Sequence, residues 1–206
     1  SICPKGVTIM HVRQGEAKGL GHAVLCAKPL IGESPFAVVL PDVLIDPYDC
    51  DLTRDNLAKM CSIFNDTNVS QVMVEPVPLE LISNYGVVDV NGYKLGVGES
   101  CALQSLVEKP SFELAPSNLS IVGRYVFTPD IWLLLERTPL GAGDEIQLTD
   151  AIALLVNQQP VNAFHITGRS HDCGDKMGYL KAFIEYAMRE PLLGPTLMPW
   201  LKRLLK

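Results

Sequence analysis

Short apolar runs alternate along this chain with segments in which apolar residues recur every three or four positions. A short apolar or alternating run is typical of a β-strand, and a three- to four-residue spacing is typical of an α-helix. The runs predict strands over residues 7–12, 36–40, 71–74, 86–90, 103–107, 121–127 and 161–166. Residues 36–40 are apolar throughout, which predicts a strand covered on both faces, as in a parallel sheet flanked by helices.

Helix signals lie between these runs. Residues 51–64 place apolar side chains at helical spacing behind an acidic start, where the helix dipole favours negative charge. Thr128-Pro129-Asp130 predicts another helix start, because threonine is a good cap and proline suits the first helical position. Residues from about 176 to 188 carry a further apolar stripe and are predicted to be helical.

The alternation of strands and helices predicts an α/β fold with a mixed, mostly parallel central sheet flanked by helices. Asn91-Gly92 lies between two apolar runs and is a hairpin signal, so part of the sheet is expected to be antiparallel. No repeat or low-complexity linker divides the chain. Residues 1–206 are therefore expected to form a single domain that ends in an amphipathic helical tail over about residues 192–206.

Composition narrows the classes of function. The 206 residues are 48% hydrophobic with a net charge of −6, which excludes a disordered chain and argues against a nucleic-acid partner, since that would need a basic surface. No stretch of about 20 apolar residues exists, so no membrane span is predicted, and the first residues show no signal peptide. The six cysteines are scattered without a CxxC pair, which predicts free thiols in a reducing cytoplasm and no zinc site.

A glycine-containing polar loop follows the first predicted strand. It contains Gln14, Gly19 and Gly21. The glycines let the backbone approach a ligand, and the helix start that follows offers N–H groups to an anion or a base edge. The Gln14 amide can donate and accept at once, which suits the edge of a nucleobase. An ordinary turn is the alternative that these glycines alone favour.

Two aspartates follow predicted strands. Asp42 comes after the strand at residues 36–40, and Asp172 comes after the strand at residues 161–166. Ligands of open α/β sheets bind at the carboxyl ends of strands, and Mg²⁺ takes one or two carboxylates plus phosphate oxygens. The alternative is a solvated or capping aspartate. The adjacent Cys173 is not interpreted as a nucleophile paired with His171, because neighbouring side chains on an extended segment point apart.

Glu108, Lys109 and Gly86 form a third candidate group. Glu108 can accept hydrogen bonds from sugar hydroxyls, and Lys109 can meet a phosphate as a compact charge. Pro110 ends the strand and allows a twist that would turn both side chains toward one ligand. An exposed ion pair between them is the alternative. Gly86 lacks a side chain and therefore permits close backbone approach.

Taken in order, these motifs resemble those of the bacterial UTP–glucose-1-phosphate uridylyltransferases, also called UDP-glucose pyrophosphorylases. The resemblance spans about residues 12–186 and is carried by RQGEAKGLGHAVLCA, LPDV, SQVMVEPV, YGVV, VEKP, APSNLSIVGRYVF, GAGDEIQLTDAI and SHDCG. It implies a three-layer, Rossmann-like nucleotide-diphospho-sugar transferase fold. It also implies an enzyme that makes UDP-glucose and pyrophosphate from UTP and glucose-1-phosphate, with Mg²⁺ as cofactor. Assembly as a homo-oligomer, either a dimer or a tetramer, is a further implication.

The resemblance also implies roles for individual residues. Gln14 and Gly19 match positions that contact the uracil, and Asp42 and Asp172 match the metal-binding carboxylates. Gly86 and Glu108 match positions that contact the sugar hydroxyls of glucose-1-phosphate, and Lys109 matches the position that contacts its phosphate. Lys109 and Asp42 are the expected catalytic pair.

One departure from the family leaves alternatives open. The glycine-rich loop that wraps the triphosphate, and the strand before it, have no counterpart in these 206 residues. The 206-residue chain alone is therefore expected to be inactive, and a piece of a longer enzyme is the favoured explanation because the other site residues remain. A thymidylyltransferase that makes dTDP-glucose is one alternative. A catalytically silent paralogue that binds and modulates an active uridylyltransferase is another.

Overall fold

The computed structural model describes residues 5–204, without the side chain of Ala142. Its strands are β1 Phe36–Val39, β2 Val43–Ile45, β3 Ser70–Pro76, β4 Gly86–Asp89, β5 Ser100–Ala102, β6 Ser105–Glu108, β7 Leu119–Phe127, β8 Val161–His165 and β9 Ser170–Asp172. Its α-helices are α1 Leu20–Leu25, α2 Lys28–Ile31, α3 Leu57–Thr67, α4 Ile131–Arg137, α5 Leu148–Val156, α6 Lys176–Arg189 and α7 Gly194–Leu204. Short 3₁₀ helices cover Leu79–Asn84, Phe112–Leu114 and Ala142–Asp144.

Seven strands form the main sheet. Six of them lie in the order β5-β8-β3-β7-β4-β6, and β1 also pairs with β7. Val126 of β7 lies opposite Gln71 of β3 and also opposite Ala37 of β1, so β1 and β3 occupy opposite edges of β7. The remaining two strands, β2 and β9, form a separate antiparallel ribbon.

The predicted α/β fold with a mixed sheet flanked by helices is confirmed, but the balance of strand directions differs from the prediction. Among the described pairings of the main sheet, β3 with β8 is parallel, and the others are antiparallel. The reason is the central position of β7, which runs against β1, β3 and β4. The expected parallel majority is therefore replaced by an antiparallel one.

Strand β1 also corrects a prediction. Residues 36–40 were expected to be covered on both faces, yet the burial of β1 alternates and Val39 is 49% exposed. The strands with long buried runs are β3, where residues 70–74 are all buried, and β7, where residues 122–127 are all buried. The apolar run of residues 36–40 therefore predicted the strand but not the exposure of the face that carries Val39.

Three other local predictions need correction. Residues 7–12 form no strand, and their large apolar side chains are exposed instead of packed against the sheet. The turn at Asn91-Gly92 forms, with the Tyr93 N–H donating to the Val90 carbonyl over 3.0 Å, but β4 pairs with β6 instead of with the residues after the turn. The helix expected from residue 51 begins at Leu57, because Asp51 folds the preceding residues into turns.

The other predicted helices form. The helix after Thr128-Pro129-Asp130 begins at Ile131, and the helix at about 176–188 is α6. The amphipathic tail expected over about residues 192–206 forms α7 from Gly194 to Leu204, and residues 205–206 lie outside the described part of the chain. Two apolar clusters fill the space between sheet and helices. One packs α4 and α5 against the sheet and the other packs α3 against it. No helix within residues 5–204 combines the length and apolarity needed to cross a membrane.

Candidate active site

A cleft of about 780 Å³ opens where several strands end. Asp42 follows β1, Glu75 lies near the end of β3, Glu108 ends β6 and Asp172 ends β9, and all four line the cleft. The first turns of α5 and α6 complete its wall. The cleft thus lies at the carboxyl ends of these four strands, and residues at or near the start of β4 and β7 also line it.

Asp42 and Asp172 are brought together by the β2–β9 ribbon. Val43 pairs with Asp172, so Asp42 lies beside the end of β9, and its carbonyl accepts a hydrogen bond from the Cys173 N–H over 2.7 Å. A Cβ atom placed on Gly174 would lie 3.0 Å from Asp172 Oδ1 and 3.2 Å from Asp42 Oδ2. The two carboxylate oxygens are therefore no more than about 6 Å apart, beside a residue that has no side chain between them.

This carboxylate pair has the donor set that suits Mg²⁺. Asp172 is held in place by two donors, the Gly174 N–H to Oδ1 over 2.9 Å and the Tyr85 hydroxyl to Oδ2 over 3.1 Å. Among residues 5–204, no group of three His, Cys, Asp or Glu side chains could hold a metal ion. Mg²⁺ usually takes only one or two carboxylates and completes its shell with water and phosphate oxygens, so two carboxylates facing a wide cleft fit it.

Tyr85 stays protonated in this position. Burial and the neighbouring charge of Asp172 raise the pKa of Tyr85 to about 12, so its hydroxyl donates to the carboxylate at any physiological pH. The Tyr85 carbonyl also accepts a hydrogen bond from the Lys109 N–H over 3.0 Å. Tyr85 therefore contacts both Asp172 and the backbone of Lys109.

Gly86, Glu108 and Lys109 lie on one wall of the cleft. Gly86 pairs with Glu108 between β4 and β6, and a Cβ on Gly86 would lie about 3.1 Å from both Glu108 Oε2 and Thr149 Oγ1. Lys109 has a φ of 44°, a left-handed conformation that is uncommon for a residue other than glycine. This twist at the end of β6 brings Glu108 and Lys109 to the same cleft. A twist at this point was expected because Pro110 ends the strand. Their charged atoms are 3.8 Å apart, which is a loose ion pair.

Gln14 and Gly19 do not line this cleft. The Gln14 Nε2 donates to the Gly19 carbonyl over 3.1 Å and lies 2.9 Å from His22 Nδ1, so this amide is directed at its own loop. Gly19 has a φ of 92°, and any side chain there would overlap residues 145–146. Leu20, the next residue, does line the cleft. The nucleotide-binding role of Gln14 and Gly19 therefore stays a prediction.

The interpretation that rejected a Cys–His nucleophile agrees with the geometry. The His171 ring lies 3.4 Å from Asp46 and packs against Tyr186, whereas the Cys173 thiol lies 3.8 Å from the His171 carbonyl. Burial and the negative charges of Asp172, Asp42 and Asp175 raise the pKa of the Cys173 thiol. Cys173 is therefore a protonated thiol, and a thiol is a much weaker nucleophile than a thiolate.

Sequence reasoning missed several cleft residues. Tyr85 and Thr149 flank Gly86, and Glu75 accepts hydrogen bonds from the N–H and hydroxyl of Ser170. Glu75-Pro76 ends its strand as Glu108-Lys109-Pro110 ends another, and this similarity was the available signal. Gly178 was missed as well. A Cβ at this position would overlap the Asp172 carbonyl oxygen, so the glycine allows α6 to lie directly against β9.

Behind the ribbon, Asp46 is the centre of a charged network. Its carboxylate is fully buried and accepts hydrogen bonds from Arg169 over 3.1 Å and from Arg189 over 2.9 Å. Burial alone would raise the pKa of Asp46, but hydrogen bonds from the Tyr48 N–H, His171 and Arg169 and the charge of Arg189 outweigh it and lower the pKa. The network links β2 to α6 and holds the ribbon that carries the aspartate pair.

Replacing Asp46→Asn is expected to reduce the free energy of unfolding by about 2 to 3 kcal/mol at pH 7, because the two arginines lose charged partners while both remain partly solvated. A carboxyl whose pKa is lowered on folding stabilises the protein above its unfolded pKa, about 3.9, and loses that contribution as the pH falls through the folded pKa. The difference between Asp46→Asn and the wild type should therefore shrink at acidic pH. Urea unfolding at pH 7 and at about pH 3 measures both effects.

Asp49→Asn is the matched control, because Asp49 meets the same Arg169 but is 38% exposed. Its effect should stay below about 1 kcal/mol at both pH values. Equal losses for the two variants, or a loss in Asp46→Asn that does not change with pH, would contradict a stabilising role for the buried charge.

With this geometry established, the chain was compared with known proteins. The nucleotidyl transferase family matches residues 3–189. The chain belongs to this family. Within the family it is 59% identical over 206 residues to the UTP–glucose-1-phosphate uridylyltransferase of Haemophilus influenzae, covering 100% of this chain and 70% of that protein. It is 57% identical over 202 residues to the enzyme of the same name from Escherichia coli K12, covering 98% and 66%.

Solved structures of family members show the same fold. A UTP-bound UDP-glucose pyrophosphorylase from Acinetobacter baumannii superposes with a TM-score of 0.85 at 46% identity, over 100% of this chain and 68% of that chain. A UDP-glucose pyrophosphorylase in complex with UDP-glucose gives a TM-score of 0.80 at 39% identity, over 87% and 66%. The resemblance inferred from the motifs is therefore confirmed. This nucleotidyl transferase chain spans about two thirds of the length of these relatives.

Proposed function

We propose that the full-length protein transfers a uridylyl group from UTP to glucose-1-phosphate, forming UDP-glucose and pyrophosphate. The observation that carries this proposal is the convergence of Asp42, Asp172 and Lys109 on one cleft at the carboxyl ends of the strands. Two carboxylates and one cation match a reaction between two phosphate groups. The names of the relatives supply the substrates.

The chemistry proposed is a single displacement without a covalent enzyme intermediate. A phosphate oxygen of glucose-1-phosphate attacks the α-phosphorus of UTP, the bond to the β-phosphate oxygen breaks, and pyrophosphate leaves with that electron pair. Both reactants are polyanions, so the protein must align them and reduce their repulsion. The protonated Cys173 thiol is consistent with a route that needs no protein nucleophile.

Lys109 and its neighbours would hold the sugar phosphate. The Lys109 side chain is 54% exposed and carries a positive charge into the cleft, where it can meet the phosphate that attacks. Glu108 is 15% exposed and can accept hydrogen bonds from glucose hydroxyls. A side chain at Gly86 would press on Glu108 Oε2 and Thr149 Oγ1 at about 3.1 Å, so the glycine lets Glu108 keep its position in the cleft. Gln14 and Gly19 are proposed to contact the uracil, as the positions they match do in the family.

Asp42 and Asp172 are proposed to bind Mg²⁺. The ion would neutralise the charge that develops on the phosphate oxygens. The protein contributes the position of the two carboxylates, with Asp172 fixed by Tyr85 and Gly174.

We also propose that the protein acts in the cytoplasm as a homo-oligomer. The described cysteines are unpaired, as expected of a reducing compartment. Several large apolar side chains on and around α6 and α7 are exposed, including Phe183 at 61%, Leu192 at 82% and Trp200 at 49%. Exposed apolar patches of this kind mark protein interfaces, and sedimentation equilibrium would give the number of subunits.

The test is a comparison of nucleotides with the full-length protein, Mg²⁺ and glucose-1-phosphate. We expect UTP to give UDP-glucose and pyrophosphate with a higher kcat/KM than dTTP gives dTDP-glucose. The relatives favour UTP, whereas a glucose-1-phosphate thymidylyltransferase is similar to this chain in fold alone, at 18% identity. A preference for dTTP would contradict the proposed substrate.

Absence of product from either nucleotide would favour the silent paralogue. That alternative also predicts co-purification with an active uridylyltransferase whose rate changes when this protein is added. The intact set of Asp42, Asp172, Gly86, Glu108 and Lys109 in the cleft supports the enzyme instead.

A further inference from the structure

Arg124 is a buried cation beside the proposed metal carboxylates. It lies on β7, its side chain extends to the turn between β1 and β2, and the residue is only 8% exposed. The guanidinium donates through one nitrogen to the carbonyls of Leu40, over 2.9 Å, and Gly123, over 3.1 Å. Through the other it donates to the carbonyl of Val43. Leu40 and Val43 stand on either side of Pro41-Asp42, so one side chain binds both ends of the turn that carries Asp42.

The backbone of β7 supports the same turn. The Leu40 N–H donates to the Gly123 carbonyl over 3.0 Å. Gly123 has a φ of 72°, and a Cβ there would lie 2.9 Å from Leu40 Cδ1. The turn between β1 and β2 therefore packs directly on β7, next to the position from which the Arg124 side chain extends. On its other side the turn meets the ribbon, where the Asp42 carbonyl accepts the Cys173 N–H.

The charge of Arg124 is not used in an ion pair within residues 5–204. Burial lowers the pKa of the guanidinium, and the negative charge of Asp42 opposes this shift. An arginine nevertheless remains charged in proteins. A buried cation satisfied by three carbonyls, with Asp42 as a charged neighbour, is an arrangement that a neutral side chain of similar length would not reproduce.

We propose that Arg124 is a positioning residue for Asp42: its planar guanidinium holds the carbonyls on both sides of Asp42, so that the carboxylate lies beside that of Asp172 at the edge of the cleft. The positioning of Asp42 follows from the contacts of Arg124. Only its role in metal binding rests on the proposed function. The two terminal nitrogens of the guanidinium form a fork that reaches the Leu40 and Val43 carbonyls at once. A lysine has a single ammonium group, which would not reach both carbonyls in the same way.

The test compares Arg124→Met, Arg124→Lys and the control Arg137→Met in the full-length protein, since Arg137 is an exposed residue at the end of α4. Amide hydrogen exchange is measured first, without metal or substrate. We expect Arg124→Met to speed exchange at the Leu40 and Cys173 amides by about 10- to 100-fold. The Ile166 amide, which donates to the Val74 carbonyl in the sheet, should keep its wild-type rate. Arg124→Lys should resemble Arg124→Met, and Arg137→Met should resemble the wild type.

The second measurement is Mn²⁺ binding by titration calorimetry, with Mn²⁺ as the probe. The dissociation constant should rise by about tenfold or more in both Arg124 variants and stay unchanged in Arg137→Met. Unchanged exchange at Leu40 and Cys173 in Arg124→Met would overturn the proposal, and so would faster exchange that includes Ile166, since that indicates general destabilisation. Wild-type behaviour of Arg124→Lys would overturn the role of the fork. If the wild type binds no Mn²⁺, the proposed function fails, while the exchange rates still decide whether Arg124 holds the turn.

Discussion

Asp42→Asn and Asp172→Asn are each expected to lower kcat for UDP-glucose formation by about 10²- to 10⁴-fold. Each removes one of two carboxylates that lie no more than about 6 Å apart in the cleft, and charge stabilisation by a bound metal contributes several kcal/mol to such reactions. Asparagine keeps the size of the side chain and one oxygen, so folding should be largely unaffected. The measurement is the initial rate of UDP-glucose formation at saturating substrates over a range of Mg²⁺ concentrations.

Asp175→Asn is the matched control for this experiment. Asp175 lines the same cleft, but its Oδ1 accepts hydrogen bonds from the Met177 and Gly178 N–H groups and caps α6. Asparagine also caps helices well, so the rate should change by less than about threefold. The account would be wrong if the Asp42 and Asp172 variants kept wild-type rates, or if all three variants lost activity to the same extent.

Lys109→Met is expected to lower kcat/KM for glucose-1-phosphate by about 10²- to 10³-fold. The substitution removes the cation that is proposed to meet the sugar phosphate, and loss of one such electrostatic contact has an effect of this size. Stability should hardly change, because Lys109 is 54% exposed and its ion pair with Glu108 is loose at 3.8 Å. Steady-state kinetics and thermal unfolding of the same preparation measure the two effects.

Lys94→Met provides the control for loss of one positive charge, since Lys94 is exposed and does not line the cleft. Its kcat/KM should equal that of the wild type. Lys109→Arg should recover only part of the activity, because a guanidinium presents its charge differently from a compact ammonium group. Wild-type kinetics in Lys109→Met would remove Lys109 from the account of phosphate binding.

The sequence predicted which aspartates come together in the cleft better than it predicted the strands and side chains that hold them. Asp42 and Asp172 were expected together because each follows a predicted strand, and strand ends meet at one edge of a sheet. In the structure Asp172 does not follow β8 directly but ends the separate strand β9. The β2–β9 ribbon that aligns them was not predicted, since Val43–Ile45 and Ser170–Asp172 are too short to stand out in an apolar pattern. Tyr85 and Arg124 were missed for a related reason: each reaches a residue more than 80 positions away.

Contacts between residues that are distant in the sequence also explain the errors in the predicted fold. β1 and residues 72–74 of β3 are both short apolar runs, and periodicity alone could not tell which run is covered on both faces. Strand directions depended on β7, whose three neighbours come from distant parts of the chain. Local signals performed better: Asn91-Gly92 formed its turn, and α6 matched its predicted span closely.

The central claim is that Asp42 and Asp172 share one divalent cation beside the sugar phosphate. A crystal structure of the full-length protein with UDP-glucose and Mn²⁺, with anomalous data that locate the manganese, tests this most directly. The account predicts one anomalous peak in the cleft, within about 2.2 Å of an oxygen of each aspartate and of a diphosphate oxygen. A peak bound elsewhere, or a bound UDP-glucose with its diphosphate on another surface, would contradict it.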